Sequence, residues 1–165
     1  MRIENTIYKQ TKKLKSLPSS IRLWLMSKVL GRFVPFINTA GAQFKKLTRE
    51  EVIVSINNRK KVQNHIKGIH ACATALIAET ATGFVTSLNC PDDKIILLKE
   101  MHIRYTKIAT GNLTATAFCN EQMAQQLADD ERGYFVVPVK ITDEANIEPV
   151  EIQMTWAWLP KTVKE

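Results

Sequence analysis

Residues 69–85 constrain the fold of this chain more than any other segment. Five alanines (Ala71, Ala73, Ala75, Ala78 and Ala81) are interspersed with Leu76, Ile77 and Phe84, a composition that favours helix and lets a neighbouring backbone approach closely. The predicted helix has almost no polar face. A helix apolar all round belongs inside a protein, so the rest of the chain must cover it.

The flanking segments read as the cover. Before the helix, 41–47 and 52–61 read as strands joined by a hairpin turn at Thr48-Arg49-Glu50-Glu51. After it, Cys90-Pro91-Asp92-Asp93 turns the chain into a strand over 95–108. There Met101, Ile103 and Tyr105 alternate with Glu100, His102, Arg104 and Thr106, the pattern of a half-buried strand. Gly111-Asn112 leads into 113–119, and Glu121–Asp130 reads as a short acidic helix or loop. A strand over 134–142 follows, and the last one puts Val150, Ile152, Met154, Trp156 and Trp158 on one face. Two strands, a buried helix and four antiparallel strands predict an α+β domain, a curved sheet wrapped around one helix.

The N-terminal 36 residues differ from this body. They hold eight bases and one acid, Glu4, whereas the other 129 hold fifteen of each, so the whole net charge of +7 sits in the arm. A basic arm on a neutral body attracts anionic partners such as phosphates, acidic proteins or lipid headgroups. A charge spread along the chain would have suggested nucleic acid; this distribution does not. Helices are predicted over 3–15 and 19–33, broken by Pro18 and restarted by Ser19 or Ser20 as N-cap. In the second, Ile21, Leu25, Val29 and Phe33 recur every four residues, widened by Trp24, Met26 and Leu30. That stripe either packs on the body or lies on a membrane surface or partner. Arg22, Lys28 and Arg32 interrupt it, so it does not read as a membrane span or a signal sequence. The domain organisation expected is an arm over 1–36 and a body over 37–165. Three cysteines without a CxxC pair argue against disulfide or zinc scaffolds and fit a reducing, cytoplasmic compartment.

One constellation stands out at the start of the buried helix. Asn64-His65-Ile66-Lys67-Gly68-Ile69-His70 runs on through Ala71-Cys72 to Glu79. It resembles the hot-dog-fold thioesterases of the phenylacetyl-CoA type. Their signature has an Asn six residues before a His-Gly-Gly and an acid nine residues after the His. Asn64, His70 and Glu79 match all three spacings. The stretch from Tyr105 through Gly111-Asn112-Leu113-Thr114 to Ala117 looks like the family's strand–turn–strand, and the similarity covers about residues 38–160. It implies a hot-dog domain, an acyl-CoA or acyl-carrier-protein thioester as substrate, no cofactor, and a homodimer or dimer of dimers with sites at the shared interface. The family pattern breaks where His-Gly-Gly becomes His70-Ala71-Cys72 and where the acid is Glu rather than Asp.

The residues themselves agree with that picture. Nine residues on a regular helix rotate through about 900°, so His70 and Glu79 point to opposite sides. A second helix placed antiparallel by a two-fold axis would bring Glu79 to the other subunit's Asn64 and His70. A carboxylate in an apolar helix has a raised pKa, suited to a base that activates water or to a nucleophile attacking the thioester directly. Asn64 would hold the water or carbonyl through its amide. The backbone N–H groups of Ala71 and Cys72 would stabilise the oxyanion, and Lys60, Lys61, Lys67 or the arm would receive the phosphates of coenzyme A.

Simpler readings stand beside these. His70 alone is a helix-start residue bonded to backbone, Asn64 a turn residue, and Glu79 one half of a salt bridge across a dimer. His65, His70 and Cys72 do not form a metal motif. The alternative function is a non-catalytic acyl-binding or interaction module of the same fold. A hot-dog dehydratase is disfavoured, because the proline-containing His loop of that group is absent.

Overall fold

The computed structural model describes residues 3–14 and 16–161; Arg2 and Lys15 of the basic arm, and the side chain of Phe33, lie outside the described set. The arm forms helices α1 (Thr6–Lys13), α2 (Ser19–Phe33) and α3 (Pro35–Ala40). The body contains β1 (Gln43–Leu47), β2 (Glu51–Ile56), α4 (Ala71–Ser87), β3 (Lys94–Tyr105), β4 (Leu113–Phe118), α5 (Glu121–Asp129), β5 (Gly133–Val137), β6 (Val139–Asp143) and β7 (Val150–Pro160). All strand pairs are antiparallel, in the orders β1-β2-β4-β6 and β3-β7-β5.

The two sheets are one curved surface bent at a single residue. The segment expected as one strand over 134–142 breaks at Pro138, which has no N–H to give a ladder. Its first half, β5, pairs with β7 and its second half, β6, with β4. The Pro138 carbonyl still accepts the Phe118 N–H at 2.9 Å, so pairing runs through the bend. Inside the curve lies α4, with Ile77, Ala78, Ala81, Thr82 and Val85 fully buried. This is the hot-dog fold that the sequence led us to expect.

Other boundaries move. The strand expected over 52–61 ends at Ile56, and the chain makes a 3-10 turn at Lys60–Val62 instead. The strand expected over 95–108 stops at Tyr105, and an additional residue, Lys99, bulges it between Leu98 and Glu100. Helix α3 was not anticipated, although Pro35 opens it and Gly41, at φ 70°, closes it in the left-handed region.

The arm is bonded to the body. Asn5 caps α1 by accepting the Tyr8 N–H and donates through Nδ2 to the carbonyls of Ser87 and Cys90. Asp92 accepts from the N–H and hydroxyl of Thr6, and the Phe44 N–H donates to Ser27 of α2 at 3.0 Å. The face of α2 that meets the body carries Met26 and Leu30, which join the core. Of the two roles open to the row Ile21, Leu25, Val29, packing on the body or lying on a membrane or partner, the first is not met by Ile21 and Val29, which are exposed, while Leu25 is half-buried.

Candidate active site

Helix α4 begins at a turn that its own side chains hold. The Oδ1 atom of Asn64 accepts the N–H groups of Ile66 and Gly68, each at 3.0 Å, and its N–H donates to the Gly68 carbonyl at 2.8 Å. This Asx-type closure places Lys67 at φ 63° in the left-handed region. The Nδ2 of Asn64 has no hydrogen-bond partner among the described residues and is a donor left open.

His70 is the N-cap of α4. Its Nδ1 accepts the Cys72 N–H at 3.1 Å, and its own N–H donates to the Val62 carbonyl at 2.8 Å. The imidazole therefore occupies one of the two amides expected to receive an oxyanion. Of the pair, the Ala71 N–H stays outside that contact. As placed, Cys72 can act only if the His70 ring swings away.

Asn64 and Ala71 do meet. With Thr74, Tyr105, Ile108 and Val150 they line a hollow of about 190 Å³ at the start of α4. The Tyr105 hydroxyl donates to the Ala71 carbonyl at 2.9 Å. Burial, and behind it the neighbouring Cys72, pushes the phenol's pKa up. Sequence reasoning placed Tyr105 in the strand after the helix without seeing this contact. The available signal was its position as the last residue of β3, paired with Val150.

Glu79 does not line that hollow. It stands about two turns further along α4, half-buried, on a line with Cys72 and Ala75 that the curved sheet leaves uncovered. Desolvation raises its pKa above 4.5, and its carboxylate has no hydrogen bond or ion pair among the described residues. Further along the helix Thr82 donates to the Ala78 carbonyl and Thr86 to that of Thr82, each at 2.8 Å, whereas the buried hydroxyl of the adjacent Thr80 has no partner among the described residues. Lys60, Lys61 and Lys67 are exposed around the Asn64 turn. Among the described residues there is no group of three His, Cys, Asp or Glu side chains able to hold a metal, and no helix is long and apolar enough to cross a membrane.

A family model described as a domain of unknown function, DUF4442, matches residues 22–159. No curated protein matches the sequence. Among solved structures, a Pseudomonas aeruginosa protein described as of unknown function and a "probable thioesterase" superposes with a TM-score of 0.75 at 17% identity, covering 88% of this chain and 97% of its own. A thioesterase family protein from Silicibacter pomeroyi gives 0.66 at 13%, covering 82% and 96%. A thioesterase from Haemophilus influenzae gives 0.65 at 13%, covering 81% and 90%.

Proposed function

Because the chain belongs to the DUF4442 family and has the fold of these thioesterases, we propose that it is a thioester hydrolase acting on an acyl-CoA or acyl-carrier-protein substrate, with Glu79 as general base at a dimer interface. The observation that carries the reading is the Glu79 carboxylate: desolvated, without a partner, and on the one line of α4 that the sheet does not cover. Burying a charge without compensation is unfavourable, so such a group calls for a function or a neighbour that the single chain lacks.

Within one subunit Glu79 and the Asn64–Ala71 hollow are about 12 Å apart along the helix axis. A two-fold partner with antiparallel α4 brings each Glu79 towards the other hollow, in a dimer or a dimer of dimers. There Glu79 takes a proton from water as the oxygen attacks the thioester carbonyl. The Ala71 N–H, at the positive end of the helix, donates to the developing oxyanion, and Asn64 Nδ2 orients the water or the carbonyl oxygen. The C–S bond then breaks, the thiolate recovers the proton from Glu79, and a carboxylic acid and a free thiol leave. Lys60, Lys61 and Lys67, exposed around the Asn64 turn, would meet the phosphates of the carrier.

A second reading, an acyl-binding module without turnover, is favoured by one contact: His70 holds the Cys72 amide closed. A thiol-release assay on short, long and aromatic acyl-CoAs and on acylated carrier protein, comparing wild type with Glu79→Gln, separates the two. Turnover that falls by about 10²–10⁴-fold in the variant, with the dimer intact in sedimentation, is the expected result. Equal turnover in both proteins removes Glu79 from the mechanism. Binding of these thioesters without turnover in the wild type selects the module.

A further inference from the structure

The outer face of the arm has a composition that the hydrolase reading does not use. Ile21, Trp24 and Val29 on α2, and Phe36 on α3, are all exposed, Trp24 at 62%. Among them stand Lys28 and Arg32, exposed and without an ion pair among the described residues. The only acid in the first 36 residues, Glu4, is already paired with Lys12. An exposed face that is both apolar and cationic is unfavourable in water on one count and uncompensated on the other.

Two cavities adjoin this face. On the side of Val29, α1, α2 and α4 enclose about 770 Å³ lined by Ile7, Leu14, Met26, Val29, Leu30 and Phe84, with Lys13 and Gln10 also at its wall. That volume lies in the upper range of small-molecule pockets, and its lining is the kind that accepts hydrocarbon. On the other side Trp24 and Lys28 line a second hollow of about 410 Å³ that also contains Lys45 and Arg59 and no acidic residue. Its polar, cationic walls suit a phosphate.

We propose that the outer face of α1–α3 is a docking surface for an anionic lipid bilayer: Ile21, Trp24, Val29 and Phe36 enter the interfacial layer, Lys28 and Arg32 meet anionic headgroups, and the apolar cavity beside Val29 takes up a lipid chain. An acidic protein would satisfy the bases but leave the hydrocarbon-lined cavity without a matching occupant. A bilayer supplies both chemistries in the right relation, charge at the surface and hydrocarbon beneath it. Surface-lying helices of this composition bind through buried apolar area together with attraction to anionic lipid. The inference does not depend on the hydrolase reading.

The tryptophans make it measurable. Trp156 and Trp158 are buried at 5% and 1% exposure, so Trp24 is the indole that a surface can reach. The full chain is mixed with vesicles of phosphatidylcholine alone and with vesicles in which about one-third is phosphatidylglycerol, and sedimentation and tryptophan emission are followed. Expected are co-sedimentation with the anionic vesicles only, a blue shift that Trp24→Phe abolishes, and weakening at high salt. Lys28→Glu/Arg32→Glu is expected to lower partitioning by about tenfold or more, since each base near an anionic surface is worth roughly fivefold. Circular dichroism and size-exclusion chromatography check that the variants keep the fold. No sedimentation with anionic vesicles overturns the proposal, as does equal binding to both vesicle types. A change of oligomeric state in Trp24→Phe or Lys28→Glu/Arg32→Glu also overturns it, by showing that another copy of the chain covers the face.

Discussion

Gly83 sits one helical turn beyond Glu79, where α4 presses against the sheet. A Cβ built on it would lie 2.8 and 2.9 Å from the Cη2 and Cζ2 atoms of Trp156. Carbon atoms pack at about 3.5–4.0 Å, so Gly83→Ala forces the ring or the helix to move by roughly 0.6 Å or more. The ring is not free to yield, because its Nε1 donates to the Thr82 hydroxyl at 2.9 Å, and that hydroxyl donates on to Ala78. Two effects therefore oppose one another. Replacing a mid-helix glycine by alanine favours the helix by about 1 kcal/mol, whereas overpacking a rigid core costs about 1–3 kcal/mol. With a tethered indole as the obstacle, the steric term wins, and we expect a net loss of about 1–2 kcal/mol, or roughly 2–8 °C in Tm for a domain of this size. Urea unfolding followed by circular dichroism gives the value. The deciding measurement is the cycle with Trp156→Phe: the smaller, untethered ring leaves room, so Gly83→Ala in that background should be neutral or stabilising. A destabilisation of the same size in both backgrounds would refute the argument that the Trp156 clash sets the sign.

Three further outcomes follow from individual contacts. Burial raises the Glu79 pKa above 4.5, so its ionised form opposes folding at neutral pH but not below its unfolded pKa; Glu79→Gln should equal or exceed wild-type stability at pH 7, and a thermal-melt series should show the advantage shrinking as the pH falls towards 4.5 and absent below it. Lys94 donates through Nζ to the carbonyls of Leu127, Ala128 and Asp130 at 2.7, 3.1 and 2.8 Å, closing the C-terminus of α5. Lys94→Met removes all three charge-assisted bonds, although Asp130 keeps the Trp158 indole, and we expect a loss of about 2–3 kcal/mol in denaturant titration; wild-type stability would show that water replaces the ammonium at no cost. Of the three thiols only Cys72 is exposed, and burial pushes the Cys90 pKa up to about 11. Iodoacetamide should therefore label Cys90 and Cys119 only on unfolding, and Cys72 readily in the monomer but slowly in a dimer whose second α4 covers it, as peptide mass spectrometry would report.

The sequence revealed most where one physical demand excluded alternatives. An all-apolar, alanine-rich helix has to be wrapped, and the alternating strands around it were enough to predict a curved sheet. It revealed less where two segments satisfied the same demand. In α2 the rows Ile21-Leu25-Val29 and Met26-Leu30 are both apolar, and periodicity alone cannot choose which one packs; Ser27, which accepts the Phe44 N–H, ties the second row to the body. Helix α3 is hidden because the second predicted helix ends at residue 33 and Gly41 reads as the start of a strand, although Pro35 and Gly41 open and close a short helix.

The candidate site divides in the same way. Spacing located Asn64, His70 and Glu79, but spacing does not say which polar atoms are already committed. Asn64 Oδ1 is used by its own turn and the Cys72 N–H by His70, so the chemistry open to a ligand contracts to Asn64 Nδ2 and the Ala71 N–H at one end of α4 and the Glu79 carboxylate further along it. Thr74, Thr82 and Thr86 each bond back through the hydroxyl to the carbonyl four residues earlier, whereas the buried Thr80 hydroxyl has no partner among the described residues. Glu79 has no such local solution, because an ionised carboxylate cannot donate to a carbonyl. The helix thus satisfies three of its hydroxyls internally and leaves its one carboxylate to whatever covers the open line of Cys72, Ala75 and Glu79; in the dimer we propose, a second copy of this helix meets that requirement, and the Glu79→Gln assay tests the catalytic role it would have.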